Sequence, residues 1–122
     1  MDIQRYKTAV AKSKHSTHIG EVREDAKLYL FNDDTQGFGI TEDSELVNMF
    51  SNKGRGIIPL LMAVEHGARH LNCFDGFLTK FYSQVGFKEY DRVVFDIALA
   101  PDGWDYNLYG TPDVVYMRME VA

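Results

Sequence analysis

The stretch Ser51–Phe87, SNKGRGIIPLLMAVEHGARHLNCFDGFLTKFYSQVGF, decides how the chain is read. It runs as a glycine-rich turn, a helix, a short apolar strand and a second helix closed by Gly86. Ile57, Leu60, Leu61 and Val64 fall at i, i+3, i+4 and i+7, the spacing of one inner helix face. Pro59 is tolerated only in a first turn, and Gly67 stops the helix, so its start is pinned beside Gly56. His70–Phe74 is short and largely apolar, as a central strand would be. Asp75 suits the N-cap of the next helix, whose inner face is Leu78, Phe81, Tyr82 and Val85. A glycine-rich turn entering a helix leaves backbone N–H groups free at the positive end of the dipole, a ready seat for a phosphate or pyrophosphate.

Upstream of that stretch, residues 2–14 carry Ile3, Tyr6 and Val10 at helical spacing among lysines, an amphipathic helix packed by one face. His15 and His18 stand three apart, but no cysteine or carboxylate cluster completes a ligand set, so a loop is expected and no metal site. From Ala26 the period becomes that of strands. Lys27–Phe31, Phe38–Ile40 and Glu45–Phe50 form an antiparallel meander, with turns at 32–37 and 41–44. Downstream, Lys88–Leu99 alternates as one long strand, residues 100–112 make an aromatic loop, and Val114–Val121 is the last strand. Trp104, Tyr106 and Tyr109 in that loop suit either a ligand cover or a plug for the core.

Composition narrows the classes. A chain of 122 residues with 45% hydrophobic and 25% charged residues is expected to fold as a single domain, 1–122, with a real core. A net charge of −5 without a basic stripe argues against nucleic-acid binding. One cysteine, Cys73, excludes an intrachain disulfide and suits a reducing, cytoplasmic setting. No apolar run nears the ~20 residues of a membrane span, so no membrane partner is expected.

A helix, a β-meander, two strand–helix units and closing strands make an α+β layout. With the residues quoted above, the order resembles the GNAT superfamily of acyl-CoA-dependent N-acetyltransferases, over roughly Leu28–Met119. The resemblance implies a mixed, mostly antiparallel sheet flanked by helices, with a shortened N-terminal part. It implies that a basic or glutamine residue followed by spaced glycines holds the CoA pyrophosphate on backbone amides. Two registers fit. Lys53-Gly54-Arg55-Gly56-Ile57-Ile58 matches with Lys53 as the basic residue and Ile58 at the last, normally small, position. Ser51, Gly54 and Gly56 match in the other. The first is preferred because it turns Leu61 toward the sheet. Lys53, Gly54, Arg55, Gly56 and Ile57 are then the cofactor-binding residues, and the strand amides of Val47 and Met49 would hold pantetheine and the thioester carbonyl.

Phe81-Tyr82-Ser83-Gln84-Val85-Gly86-Phe87 looks like the Tyr-x-x-x-Gly-Phe that ends the family's fourth helix, where the tyrosine protonates the departing thiolate. A phenol with a pKa near 10 keeps its proton at neutral pH, as that role needs. Glu45 is the carboxylate the resemblance favours as base for the incoming amine, ahead of Glu42, Asp43 and Asp75. The residue seven before the tyrosine, often asparagine in the family, is Asp75 here. His66 and His70 flank a helix end, where histidine serves as a terminus cation. Cys73 reads as a buried structural thiol. The implied activity is direct transfer of an acetyl group from acetyl-CoA to an amine on a small molecule or a protein. Loss of the family's first elements leaves one wall of the acceptor site to a partner subunit, a homo-oligomer among the options. The alternative is a catalytically silent GNAT-like module used for protein–protein contact, which Ile58 and the shortened N-terminus favour.

Overall fold

The computed structural model describes residues 2–13 and 16–119, so His15 lies outside it. The fold is α+β. In place of one mixed sheet, the strands fall into two three-stranded antiparallel sheets. The chain divides into two compact units, Met1–Arg69 and His70–Ala122. Among the described residues no helix is long and apolar enough to cross a membrane.

The first unit contains α1 (Ile3–Ala11), α2 (Ser16–Ile19), β1 (Ala26–Phe31), β2 (Gln36–Thr41), β3 (Leu46–Ser51) and α3 (Ile57–Glu65), with β2 central in the order β1-β2-β3. Asp2 caps α1 by accepting from the Gln4 amide. Tyr6, Ala9 and Val10 then face a core made with Val22, Leu28 and Phe50. Residues alternate across a strand, so Tyr29 and Phe38 lie on the opposite face, stacked at 4.7 Å and covered by the His66 ring at the end of α3. The sheet is therefore packed on both faces, which is why β2 is buried nearly throughout.

Gly37, expected in a turn, lies inside β2. A Cβ there would stand 2.6 Å from the Tyr29 carbonyl, 2.8 Å from the Phe50 ring and 2.9 Å from the Tyr6 ring. The glycine is what lets the Tyr6 ring approach the strand so closely. Residues 16–19, expected as loop, form one helical turn closed by Gly20, whose φ is +75°. The inner face of α3 also differs from the expected one. Pro59, Leu60 and Ala63 are buried, while Leu61 is 50% exposed and does not face the sheet.

The second unit contains β4 (His70–Phe74), α4 (Phe77–Ser83), β5 (Phe87–Val93), a 3₁₀ turn (Ile97–Leu99), α5 (Tyr106–Tyr109) and β6 (Val114–Met119), in the sheet order β4-β6-β5. Leu71, Cys73, Phe87, Val115 and Met117 are its buried apolar residues, joined by Trp104. β5 stops at Val93 and not at Leu99. Val93 pairs with Val114, the first residue of β6, so no partner remains beyond it. The Asp96 carboxylate then accepts from the Ala98 amide and turns the chain into the 3₁₀ helix.

Of the three loop aromatics Trp104 fills the role of plug, while Tyr106 is exposed and Tyr109 half-buried. Trp104 is buried, packs 4.6 Å from Phe74 and 5.1 Å from Tyr109, and donates Nε1–H to the Gly110 carbonyl at 2.9 Å.

Candidate functional site

The glycine-rich turn is built from β2 as much as from its own residues. Gln36 is buried, and its Nε2 donates to Ser51 Oγ at 2.9 Å and to the Arg55 carbonyl at 3.1 Å. Ser51 Oγ in turn donates to the Gly54 carbonyl at 3.3 Å, and Asn52 N donates to the Thr35 carbonyl at 2.7 Å. Carbonyls on the inner side of the turn are thus engaged. Gly54 makes the bend with φ +92°, a conformation in which a side chain would be strained and would crowd Gln36. Gly56 has φ −62° and is ordinary helical backbone at the N-cap of α3, with no side-chain cap bond. Among the described residues, the amides from Lys53 to Ile57 have no protein acceptor, and Ile58 N donates to the Arg55 carbonyl. The Lys53 and Arg55 side chains are exposed and have no acidic partner among the described residues.

Val47 and Met49 are half-buried and flank Asn48 on β3. Pairing of Gly37 with Phe50 and of Gly39 with Val47 gives β3 one more residue than β2 over this span, a bulge. Asn48 occupies it with φ +53°. Its Oδ1 accepts from Arg23 N at 2.8 Å, and its Nδ2 donates to the carbonyls of Ile19 and Glu21 at 3.1 and 2.9 Å. Its own carbonyl accepts from the Tyr6 hydroxyl at 2.6 Å, and burial of that phenol pushes its pKa well above the usual value. Glu45, just before β3, lies 3.4 Å from Arg23 Nη1, while its amide donates to Thr41 Oγ1 at 3.0 Å. Arg23 holds Asp25 more closely, at 2.6 Å.

An open groove of about 410 Å³ lies elsewhere on the first unit, between Asp25, Lys27, Tyr29, Thr41, Glu42 and His66. None of the turn residues lines it. His66 there is the C-cap of α3, its Nδ1 donating to the Met62 carbonyl at 2.8 Å, in keeping with a helix-terminus role.

In the second unit Tyr82 stands in the last turn of α4, half-buried, its ring 5.5 Å from Phe81 and 6.2 Å edge-on to Phe87. Gly86, with φ +106°, returns the chain into β5. Burial, and secondarily the charge that Cys73 would carry as a thiolate, raises the Tyr82 phenol above the usual tyrosine range. The Cys73 thiol is itself pushed up to about 12, by burial first and by the Asp75 carboxylate second, so it is inert at neutral pH.

Asp75 is not the N-cap of α4; Gly76 holds that position with φ +133°. The Asp75 carboxylate accepts from the Gly76 amide at 2.9 Å and from Thr79 Oγ1 at 3.3 Å. Arg92 gathers three carboxylates, reaching Asp75 at 3.0 Å, Glu89 at 2.5 Å and Asp113 at 3.1 Å. Hydrogen bonding to Arg92 holds Asp75 and Glu89 below the ordinary carboxylate range. Asp75, where the resembled family often has asparagine, therefore carries a charge paired with Arg92.

Gln36, Asn48 and Arg92 were absent from the residues singled out by sequence. Asn48 carried a signal, a lone amide inside the apolar run Leu46–Phe50, where burial demands partners. No family model matches the chain, and no curated protein or solved structure matches it.

Proposed function

We propose that the chain is a GNAT-like acyl-CoA-dependent acetyltransferase, binding acetyl-CoA through the Lys53–Ile57 turn. The observation that carries this reading is the run of amides without protein acceptors at the start of α3, held open by Gln36 and flanked by two exposed cations. A diphosphate supplies acceptors for such amides and charge for Lys53 and Arg55. The outward turn of Leu61 removes the reason for preferring the register that begins at Lys53. Ser51–Gly54–Gly56 serves equally, since Ser51 and Gly54 are tied together by the Gln36 network. Val47 and Met49 remain the residues proposed for pantetheine and the thioester.

Acetyl transfer would proceed by direct attack of an amine on the thioester carbon. The amine nitrogen forms the new C–N bond, the C–S bond breaks, and the departing thiolate takes a proton. Glu45 is the proposed acceptor of the amine's proton. Tyr82 enters as thiolate partner through its motif, Tyr82–Gly86–Phe87. Its raised pKa keeps the proton on oxygen throughout the neutral range, and makes full transfer to a thiolate uphill. The expected contribution is therefore at the low end of general acid catalysis, about 10²-fold.

Single-turnover transfer from acetyl-CoA to a panel of primary amines tests the role. Tyr82→Phe should slow the chemical step by about 10²-fold with little change in acetyl-CoA affinity. Equal single-turnover rates would remove Tyr82 from the mechanism. The exposed apolar residues Ile58 and Leu61 on α3 favour a second reading, a silent module used for protein contact. In that case acetyl-CoA binds and no amine is acetylated.

A further inference from the structure

The segment after β5 is ordered yet turns its apolar side chains outward. Phe95 anchors it, packing 5.5 Å from Trp104, 6.1 Å from Phe74 and 6.1 Å from Tyr106. Asp96 caps the 3₁₀ turn, and Asp105 caps α5 by accepting from the Asn107 and Leu108 amides at 3.0 and 3.1 Å. On this pinned frame Val94 is 79% exposed, Ile97 70% and Leu99 79%, with Leu108 also outward. A soluble chain rarely holds so many aliphatic residues outward on a fixed frame without using them.

Charge selects the occupant. From Val93 to Met117 the sequence contains Asp96, Asp102, Asp105 and Asp113 and no lysine, arginine or histidine. Asp113 is paired with Arg92, which leaves Asp96, Asp102 and Asp105 as the acidic neighbours in sequence, and a surface of that charge repels the anionic face of a membrane. It is complementary to an apolar stripe bordered by cations. A second copy joined along the β5 edge in the register centred on Tyr90 is disfavoured. Antiparallel self-pairing centred on Tyr90 sets Glu89 against Asp91 and Lys88 against Arg92, like against like.

We propose that the Val94–Leu108 surface docks a cationic amphipathic helix of a partner protein, the aliphatic residues taking its apolar stripe and the aspartates its lysines or arginines. This surface is independent of the acetyl-CoA reading and stands or falls without it.

The test uses the full chain and two labelled helical peptides of about five turns, one of leucine and lysine, the other of leucine and glutamate on the same apolar pattern. The lysine peptide should bind, and weaken as NaCl rises from about 0.05 to 0.5 M. The glutamate peptide should bind at least about 100-fold more weakly. Ile97→Ser with Leu99→Ser should lose about tenfold or more, with an unchanged melting temperature because both side chains are exposed. Asp102→Asn should weaken binding and flatten its salt dependence. Equal binding of the two peptides, or no binding of the lysine peptide, overturns the proposal. So does unchanged binding in the double variant, or loss with Ile58→Ser and Leu61→Ser instead. A dimer in sedimentation that Ile97→Ser dissolves would assign the surface to a second copy and also overturn it.

Discussion

Asn48 holds the first unit together in a way that can be taken apart by two substitutions. Its side chain makes three hydrogen bonds to backbone groups of residues 19–23. A net value of about 1 kcal/mol per bond puts about 3 kcal/mol on the side chain. Its backbone has φ +53°, which asparagine tolerates and alanine does not, at a further cost of about 1 kcal/mol. Asn48→Gly should therefore lose about 3 kcal/mol and Asn48→Ala about 4 kcal/mol. In an ordinary strand the order would be reversed, since glycine there is worse than alanine by roughly 0.5–1 kcal/mol. Urea unfolding followed by far-ultraviolet circular dichroism measures both values. Amide exchange at Arg23, whose N–H bonds to Asn48 Oδ1, should quicken in both variants. An alanine variant more stable than the glycine variant, or within about 1 kcal/mol of the parent, would refute the reasoning.

Gly37→Ala drives a methyl into Tyr6, Phe50 and the Tyr29 carbonyl, so it should cost about 1–3 kcal/mol and lower the melting temperature by at least about 5 °C; an unchanged melt would mean the rings can move aside. Asp75 and Glu89 have folded pKa values depressed by Arg92, so their contribution to stability is present above the ordinary carboxylate range and is lost as pH falls through the folded values. Carboxyl-carbon NMR titration should place both midpoints below about 3.9–4.3 in the parent and return them toward that range in Arg92→Gln; identical midpoints would dissolve the cluster as a source of acid sensitivity.

The parts of this fold legible in sequence are those that local physics decides. Lys27–Phe31 and His70–Phe74 were readable as strands because apolar runs between turn residues have few alternatives. Pro59 and Gly67 bracketed α3 because each is confined to particular positions. What escaped depends on contacts across the chain. Gly37 reads as a turn residue until the Tyr6 ring is known to lie on it. Periodicity allowed both Leu60 and Leu61 an inward place on α3, and packing took Pro59 and Ala63 with Leu60. The apolar alternation of residues 88–99 promised a long strand, but β6 offers no partner past Val114. The glycine-rich turn was legible as a turn. That Gln36 would hold its inner side, leaving the outer amides without acceptors, was not, because that bond spans 19 residues.

The central claim is that this turn binds the diphosphate of acetyl-CoA, and thermal melting of the chain in acetyl-CoA tests it most directly. A ligand that binds only the folded chain adds about 2.7 kcal/mol at 100 times its Kd, several degrees for a protein of this size. Gly56→Val is the matched control. At φ −62° valine is permitted by the backbone, so the fold should survive while the branched side chain blocks close approach to the amides. The account predicts a rise of several degrees for the parent and none for Gly56→Val. No rise for the parent at millimolar acetyl-CoA, or an equal rise for both proteins, would contradict it.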